Sequence, residues 1–170
     1  MPKNFELEHL IASLPARRVC AKKIQYLSTC ESTNDWLKEN IKNDTAKSGQ
    51  LVIAGKQTSG RGRKSRDWWS GEQHSNLTFS LALKTSTPPP QVIGLIAALA
   101  IIKTIKRNCD KNVVVSLKWP NDVLINSSKA AGVLCEFISE KNTLIVGIGI
   151  NINSSPEELR TDYKATHLSK

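Results

Sequence analysis

The sequence predicts an α+β domain: a mainly antiparallel mixed sheet with helices packed on it. Three observations carry that class. From Val113 to Ile152 short apolar runs alternate with tight-turn residues, the pattern of a strand meander. Before the meander, Gln91 to Arg107 is a long apolar helical segment ended by Lys103, Lys106 and Arg107, where cations suit the helix dipole. In the first half, a shorter amphipathic helix lies between two strand-like runs.

Composition bounds the rest. At 170 residues the chain fits one domain with a sizeable core. Its 39% hydrophobic and 23% charged residues are globular values, which argues against wholesale disorder. A net charge of +9 favours anionic partners without choosing among nucleic acid, nucleotide and acidic protein. Cys20, Cys30, Cys109 and Cys135 have neither metal-ligand nor redox-motif spacing. The start carries Glu6 and Glu8 and lacks a secretory apolar core, and no apolar run is long enough to span a bilayer. Reduced thiols in a cytoplasmic protein are expected.

In chain order, Phe5, Leu7, Leu10, Ile11 and Leu14 recur at helical spacing up to Pro15. Ile24 to Thr29 reads as a strand. Ser32, with Asp35 three residues on, has the form of a capping box, and Trp36, Leu37 and Ile41 give the following helix one apolar face, to about Lys42. Ser32, Thr33 and Asn34 read either as simple capping or as hydroxyl and amide partners for a polar ligand ring.

Leu51 to Gly55 reads as a buried strand. Asn76 to Leu83 alternates strictly, with Leu77, Phe79, Leu81 and Leu83 as its expected inward face. Between them lies a basic loop, Gln57 to Trp69, with Gly60 and Gly62, three arginines and two adjacent tryptophans. It reads as a solvated charge cluster, a nucleic-acid patch or an anion cradle. Gly60 and Gly62 permit close backbone approach, and Arg61, Arg63 and Arg66 offer forked donors for phosphate or carboxylate. Trp68 offers a stacking face. Like charges and the lack of an apolar anchor before Trp68 predict a loop that orders when an anion binds.

Pro88-Pro89-Pro90 breaks the chain before the long helix. That helix is apolar nearly all round over Val92 to Ile102 and is expected to be well buried. The meander then runs Val113–Trp119, Val123–Ile125, Lys129–Ile138 and Thr143–Ile152, turning at Pro120-Asn121-Asp122, Asn126 to Ser128 and Glu140 to Asn142. Lys118 sits in an apolar strand, Lys129 opens the strand carrying Gly132, and Asn151 ends Gly147-Ile148-Gly149-Ile150-Asn151, whose glycines let something approach the backbone. Taken singly, Lys118, Lys129 and Asn151 are ordinary surface or turn residues. Ser155-Pro156 has the form of a helix start, and the tail to Lys170 has no readable element.

Five of these segments, in order, resemble the successive motifs of biotin protein ligases: Ser32-Thr33-Asn34, Gly60 to Trp68, Lys118-Trp119-Pro120-Asn121-Asp122, Lys129 to Glu136 and Gly147 to Asn151. The resemblance runs from about Ile24 to Asn153. It implies the biotin/lipoate ligase fold, similar to class II aminoacyl-tRNA synthetases. It also implies an enzyme that joins biotin to ATP as biotinyl-5′-AMP and passes the biotinyl group to a lysine of a biotin carboxyl carrier protein of acetyl-CoA carboxylase. By resemblance, Ser32, Thr33 and Asn34 contact the biotin head group, with Gln57 nearby. Arg61, Gly62 and Arg63 close over the biotin carboxylate and adenylate phosphate, and Lys129 reaches the same groups, so that Arg63 and Lys129 carry the catalysis. Arg66, Lys118, Asn121 and Asn151 serve ATP, Trp68 packs on adenine, Mg2+ accompanies ATP, and Asp122 is an outer-sphere helper.

The resemblance also has departures. Ser65 stands where many members have glycine, a change expected to stiffen the loop. No DNA-binding segment precedes the ligase region, so no specific DNA binding is expected. Members continue past the Asn151 motif and add a small β-barrel, whereas 17 residues follow Asn153 here. The expectation is therefore a single catalytic domain without the barrel, truncated or fragmentary, with a second copy of the chain as a candidate partner. A lipoate or octanoate ligase, an inactive remnant and a nucleic-acid-binding module are the competing readings.

Overall fold

A computed structural model describes residues 23–84, 90–110, 112–157 and 163–169. The predicted helix from Phe5 to Leu14 lies outside them, as do Pro88, Pro89 and most of the segment after Pro156 that reads as a helix start.

Among the described residues, seven strands form one sheet: β1 (Lys23–Cys30), β2 (Gln50–Gln57), β3 (Leu77–Lys84), β4 (Val115–Lys118), β5 (Asp122–Ile125), β6 (Ser128–Ile138) and β7 (Thr143–Ile150). Their spatial order is β1-β2-β3-β7-β6-β5-β4. Only β1 and β2 run parallel, and helix α1 (Thr33–Lys42) is the crossover that a parallel pair requires. All other neighbours are antiparallel, and the meander predicted for the second half is present as β4 to β7. The α+β expectation is met, and each predicted strand is found within two residues of its expected ends.

The two helices pack on opposite faces. In α1, Leu37 and Ile41 bury against Val52, Ala82, Ile138 and Ile145. In α2 (Pro90–Asn108), Ala98, Ile101, Ile102 and Ile105 bury against Val115, Val123, Ala131, Val133, Leu144 and Val146. The alternation of Leu144, Ile145 and Val146 between these clusters is the two-residue period of a strand covered on both faces.

Two expectations are corrected. On β3 the deeply buried side chains are Thr78, Ser80 and Ala82, whereas Leu77 is exposed and Phe79, Leu81 and Leu83 are half-buried. The polar face of this strand points inward because it meets the N-terminal end of α1, whose own polar residues need partners. Helix α2 is not buried all round: Val92, Ile96 and Leu99 are exposed, and only its sheet-facing side enters the core.

Candidate functional site

The site grows from three glycines on the α1 face of the sheet. Gly147 pairs with Ser80 on one side and Leu134 on the other, while Gly149 pairs with Thr78 and Gly132. Without side chains, these positions form a low floor on which two larger groups rest. A β-carbon at Gly147 would overlap Asn34 Oδ1. One at Gly149 would overlap the Trp68 indole, and one at Gly132 would stand 3.3 Å from Trp68 Cζ3.

Ser32 caps α1, accepting from the Asp35 backbone N–H at 3.4 Å. The cap turns Thr33 and Asn34 down toward the floor, and all three residues are buried. The Thr33 backbone N–H and hydroxyl donate to Gln57 Oε1 at 2.7 and 2.9 Å. The Ser80 hydroxyl donates to Asn34 Oδ1 at 2.6 Å and lies 2.7 Å from Thr33 Oγ1. Asn34 Nδ2 donates to Glu136 Oε2 at 2.7 Å. The capping alternative holds for Ser32, and Thr33 and Asn34 line a hydrogen-bonding pocket beside it.

The basic loop is a tight excursion closed by an antiparallel backbone bridge at Arg61 and Asp67, made by a 2.7 Å bond from Gly62 N–H to the Arg66 carbonyl and a 2.8 Å bond from Trp68 N–H to the Gly60 carbonyl. Its charge repulsion is relieved by an anchor not expected from sequence. The Arg61 guanidinium forms ion pairs with Asp35 and with Glu136, the latter at 3.0 Å. The hydrogen bonding of Arg61 to Asp35, with the field and hydrogen bond of Glu136, outweighs burial and holds Arg61 even more firmly protonated than an ordinary arginine. Asp35 therefore serves Arg61 as well as the helix start. Arg63 and Arg66 remain exposed and line the cleft, and Arg63 Nη1 donates to Asn121 Oδ1 at 3.3 Å.

Opposite the loop, Lys129 Nζ pairs with Asp122 at 2.9 Å and lies 5.7 Å from the Trp68 ring centroid and 4.9 Å from that of Tyr163. Asn121 is locked to β6 by a 2.7 Å bond from Nδ2 to the Val133 carbonyl. The tail that had no readable element contributes residues 163–169, which run alongside Lys129 through bonds from Lys129 N–H to the Lys164 carbonyl and from Thr166 N–H to the Lys129 carbonyl.

One cleft thus gathers Ser32, Thr33, Asn34, Gln57, Arg61, Gly62, Arg63, Arg66, Trp68, Asn121 and Lys129, with Asp122 on its wall. Two predicted residues stand apart from it. Lys118 is exposed at the end of β4, beyond the cleft lining. Asn151 lies under Trp68, Trp69 and Tyr163 in an adjoining smaller hollow, its Nδ2 donating to the Thr166 carbonyl at 3.0 Å. Two buried atoms on that side, Asn151 Oδ1 and Trp68 Nε1, have no hydrogen-bond partner among the described residues.

Sequence reasoning missed Ser80, Asp35 as an arginine anchor, and Glu136. A signal existed for Ser80: a hydroxyl centred in an alternating strand marks which face receives a polar helix end. Asp35 and Glu136 are 101 positions apart in sequence and meet only through Arg61, so no local pattern could pair them.

Residues 26–153 match the Biotin/lipoate A/B protein ligase family. The chain is 37% identical over 160 residues to the bifunctional ligase/repressor BirA of Bacillus subtilis, covering 89% of this chain and 48% of that protein. It is 30% identical to a biotin–[acetyl-CoA-carboxylase] ligase of Mycobacterium tuberculosis, over 83% of this chain and 53% of that one. Its fold superposes on the biotin protein ligase of Aquifex aeolicus in complex with biotin and ATP with a TM-score of 0.73 and 35% identity, over 86% of this chain and 60% of that chain. The biotin protein ligase of Leishmania major in complex with biotinyl-5-AMP superposes with a TM-score of 0.71 and 26% identity, over 88% and 64%. The chain spans about half the length of these curated relatives. With the motif order, the glycine floor and the cleft residues, these likenesses place the chain in the biotin/lipoate A/B protein ligase family.

Proposed function

We propose that this chain activates biotin with ATP to biotinyl-5′-AMP and transfers the biotinyl group to a lysine of a biotin carboxyl carrier protein in the cytoplasm. The observation that carries the proposal is one cleft joining a neutral hydrogen-bonding pocket (Thr33, Asn34 and Gln57, backed by Ser80) to a cationic mouth (Arg63 and Lys129) above Trp68 and its glycine floor.

The two ends suit the two ends of biotin. A cyclic urea brings donors and acceptors in fixed positions to a pocket already rich in both. A dithiolane ring brings neither and would gain no hydrogen bond there, which favours biotin over lipoate. Activation joins two anions: the biotin carboxylate attacks the α-phosphorus, the bond to pyrophosphate breaks, and pyrophosphate leaves. Arg63 and Lys129 would hold the approaching oxygens and the charge that spreads over them, so no nucleophilic side chain is required. In the second half, the carrier lysine amine attacks the acyl carbon, loses a proton and expels AMP. Lys118, Arg66, Asn121 and Asn151 are assigned to ATP, with Trp68 beside the base.

Among the described residues no cluster of three His, Cys, Asp or Glu side chains could hold a metal ion. Mg2+ would enter with ATP, with Asp122 as the carboxylate at hand, and would offset the charge of the leaving pyrophosphate. Convergence of the basic residues on this cleft, with Arg61 already neutralised by carboxylates, disfavours the nucleic-acid reading. Among the described residues no helix is long and apolar enough to cross a membrane, and Cys30, Cys109 and Cys135 are free thiols.

The test is biotin-dependent pyrophosphate release from MgATP, with the intermediate identified by mass and transfer followed to a purified carrier domain. Release with lipoate but not biotin would overturn the substrate assignment. Intermediate without transfer would restrict the proposal to its first half.

A further inference from the structure

The sequence assigned Glu136 no role, yet its carboxylate joins two parts of the cleft. Oε2 accepts from Asn34 Nδ2 at 2.7 Å and from Arg61 Nη2 at 3.0 Å, and Oε1 accepts from the same Nη2 at 3.1 Å. Asn34 belongs to the neutral pocket, and Arg61 opens the basic loop.

A carboxylate can only accept, so it decides which end of the Asn34 amide faces it. Nδ2 turns to Glu136, and Oδ1 is left to accept from Ser80. The Ser80 oxygen meets the Thr33 hydroxyl, whose proton goes to Gln57 Oε1. One carboxylate on β6 thereby sets the orientation of the Asn34 amide and the direction of the Ser80 hydrogen bond. The same oxygens hold the guanidinium at the root of the loop. Asp35 holds it too, but the Asp35 side chain is 44% exposed against 21% for Glu136, so Glu136 is the less screened anchor.

We propose that Glu136 is a positioning residue that couples the basic loop, through Arg61, to the hydrogen-bond polarity of the neutral pocket, through Asn34. A polar ligand ring in the pocket and the docked loop then favour one another, because both draw on one carboxylate. The proposal rests on biotin as the occupant of that pocket.

Glu136→Gln tests it with little change of shape: the amide can satisfy Asn34 in either orientation and no longer holds the guanidinium. Calorimetry is expected to show biotin bound about five- to fiftyfold more weakly. Biotin should also cease to slow trypsin cleavage at Arg61 to Arg66. Arg61→Met should reproduce both effects. The double variant should be no weaker than the weaker single one, a non-additivity that general loss of stability would not produce. Additive losses, or a Glu136→Gln protein that biotin still binds and protects as before, would overturn the coupling. Where Glu136→Gln unfolds the chain, Arg61→Met decides alone, since its side chain is part-exposed and outside the core. If the unsubstituted chain fails to bind biotin, the proposed function falls. The loop anchor is then judged on ligand-free trypsin rates, where equal cleavage of Glu136→Gln and unsubstituted protein overturns it.

Discussion

Gly147 lies directly beneath Asn34: a β-carbon on its backbone would overlap Oδ1 and stand 2.9 Å from Cγ. Asn34 has nowhere to retreat, since Ser80 and Glu136 hold both ends of its amide. Gly147→Ala is therefore expected to cost about 1–3 kcal/mol of stability through overpacking. Displacement of Asn34 should also weaken biotin binding at least ~10-fold, given the cost of misplaced buried polar groups. Urea unfolding and calorimetry measure the two effects. A Gly147→Ala protein with unchanged biotin affinity would remove Asn34 from the pocket.

Two residues along β7, Gly149 makes the same kind of room for a different group. Its missing side chain accommodates the Trp68 indole, with Nε1 2.7 Å from the β-carbon position. Gly149→Ala should lift Trp68 and impair ATP, leaving biotin affinity within about threefold because the Asn34 end is untouched. Titration of each substrate alone separates the variants. If Gly149→Ala harms biotin as much as Gly147→Ala does, the two ends of the cleft are not independent.

Arg63 differs from Arg61 in having no carboxylate partner among the described residues; its contact is the neutral amide oxygen of Asn121 at 3.3 Å. It is, like Arg66, a guanidinium free to meet an anion. Arg63→Ala should weaken biotin binding and speed release of biotinyl-AMP, each roughly 10- to 100-fold, the value of a charge-assisted hydrogen bond. Retention of labelled intermediate on a filter reads the rate directly, and unchanged release would contradict the assignment.

The contrast between the two arginines shows how far the sequence could be read. Strand periodicity gave the sheet, and ordered motifs gave nearly every residue on the cleft wall, because each is set by its own neighbours. On β3, periodicity gave the alternation but not which face turns inward. The Leu and Phe face carried more apolar area, yet Ser80 won the buried side because Thr33 and Asn34 descend on it. Equal sequence signals at Arg61 and Arg63 became one paired and one available cation only when β6 brought Glu136 alongside. The role of residues 163–169 was invisible because their order comes from backbone bonds to Lys129 and Asn151, which no side-chain pattern encodes.

Ser65 has φ +56° and follows Lys64, also at +56°. A side chain in this left-handed region costs about 1–2 kcal/mol, which glycine avoids, while glycine's freer unfolded chain takes back about 0.4–1 kcal/mol. Ser65→Gly should therefore stabilise the docked loop by about 0.5–1 kcal/mol. The expected readout is slower trypsin cleavage at the loop in the ligand-free protein. Faster cleavage would mean that the serine stiffens the loop more than its backbone strains it.

Cys30 and Cys135 are both pushed from an ordinary 9.0 to about 11, chiefly by burial, with Asp35 and then Glu31 adding to the effect at Cys30. At pH 8 the folded protein should therefore alkylate at these thiols about a hundredfold more slowly than an unperturbed cysteine, since the thiolate is the reactive form. The same shift ties the thiols to stability. Folding favours their protonated form, so the contribution is complete below about pH 9, where unfolded thiols are also protonated, and is lost as pH rises to about 11. Urea midpoints should fall across that window, and fall less in a Cys30→Ser, Cys135→Ser double variant. If the two proteins lose stability equally, these half-buried thiols are not the groups that titrate, and rapid alkylation of folded protein at pH 8 would contradict their shift directly.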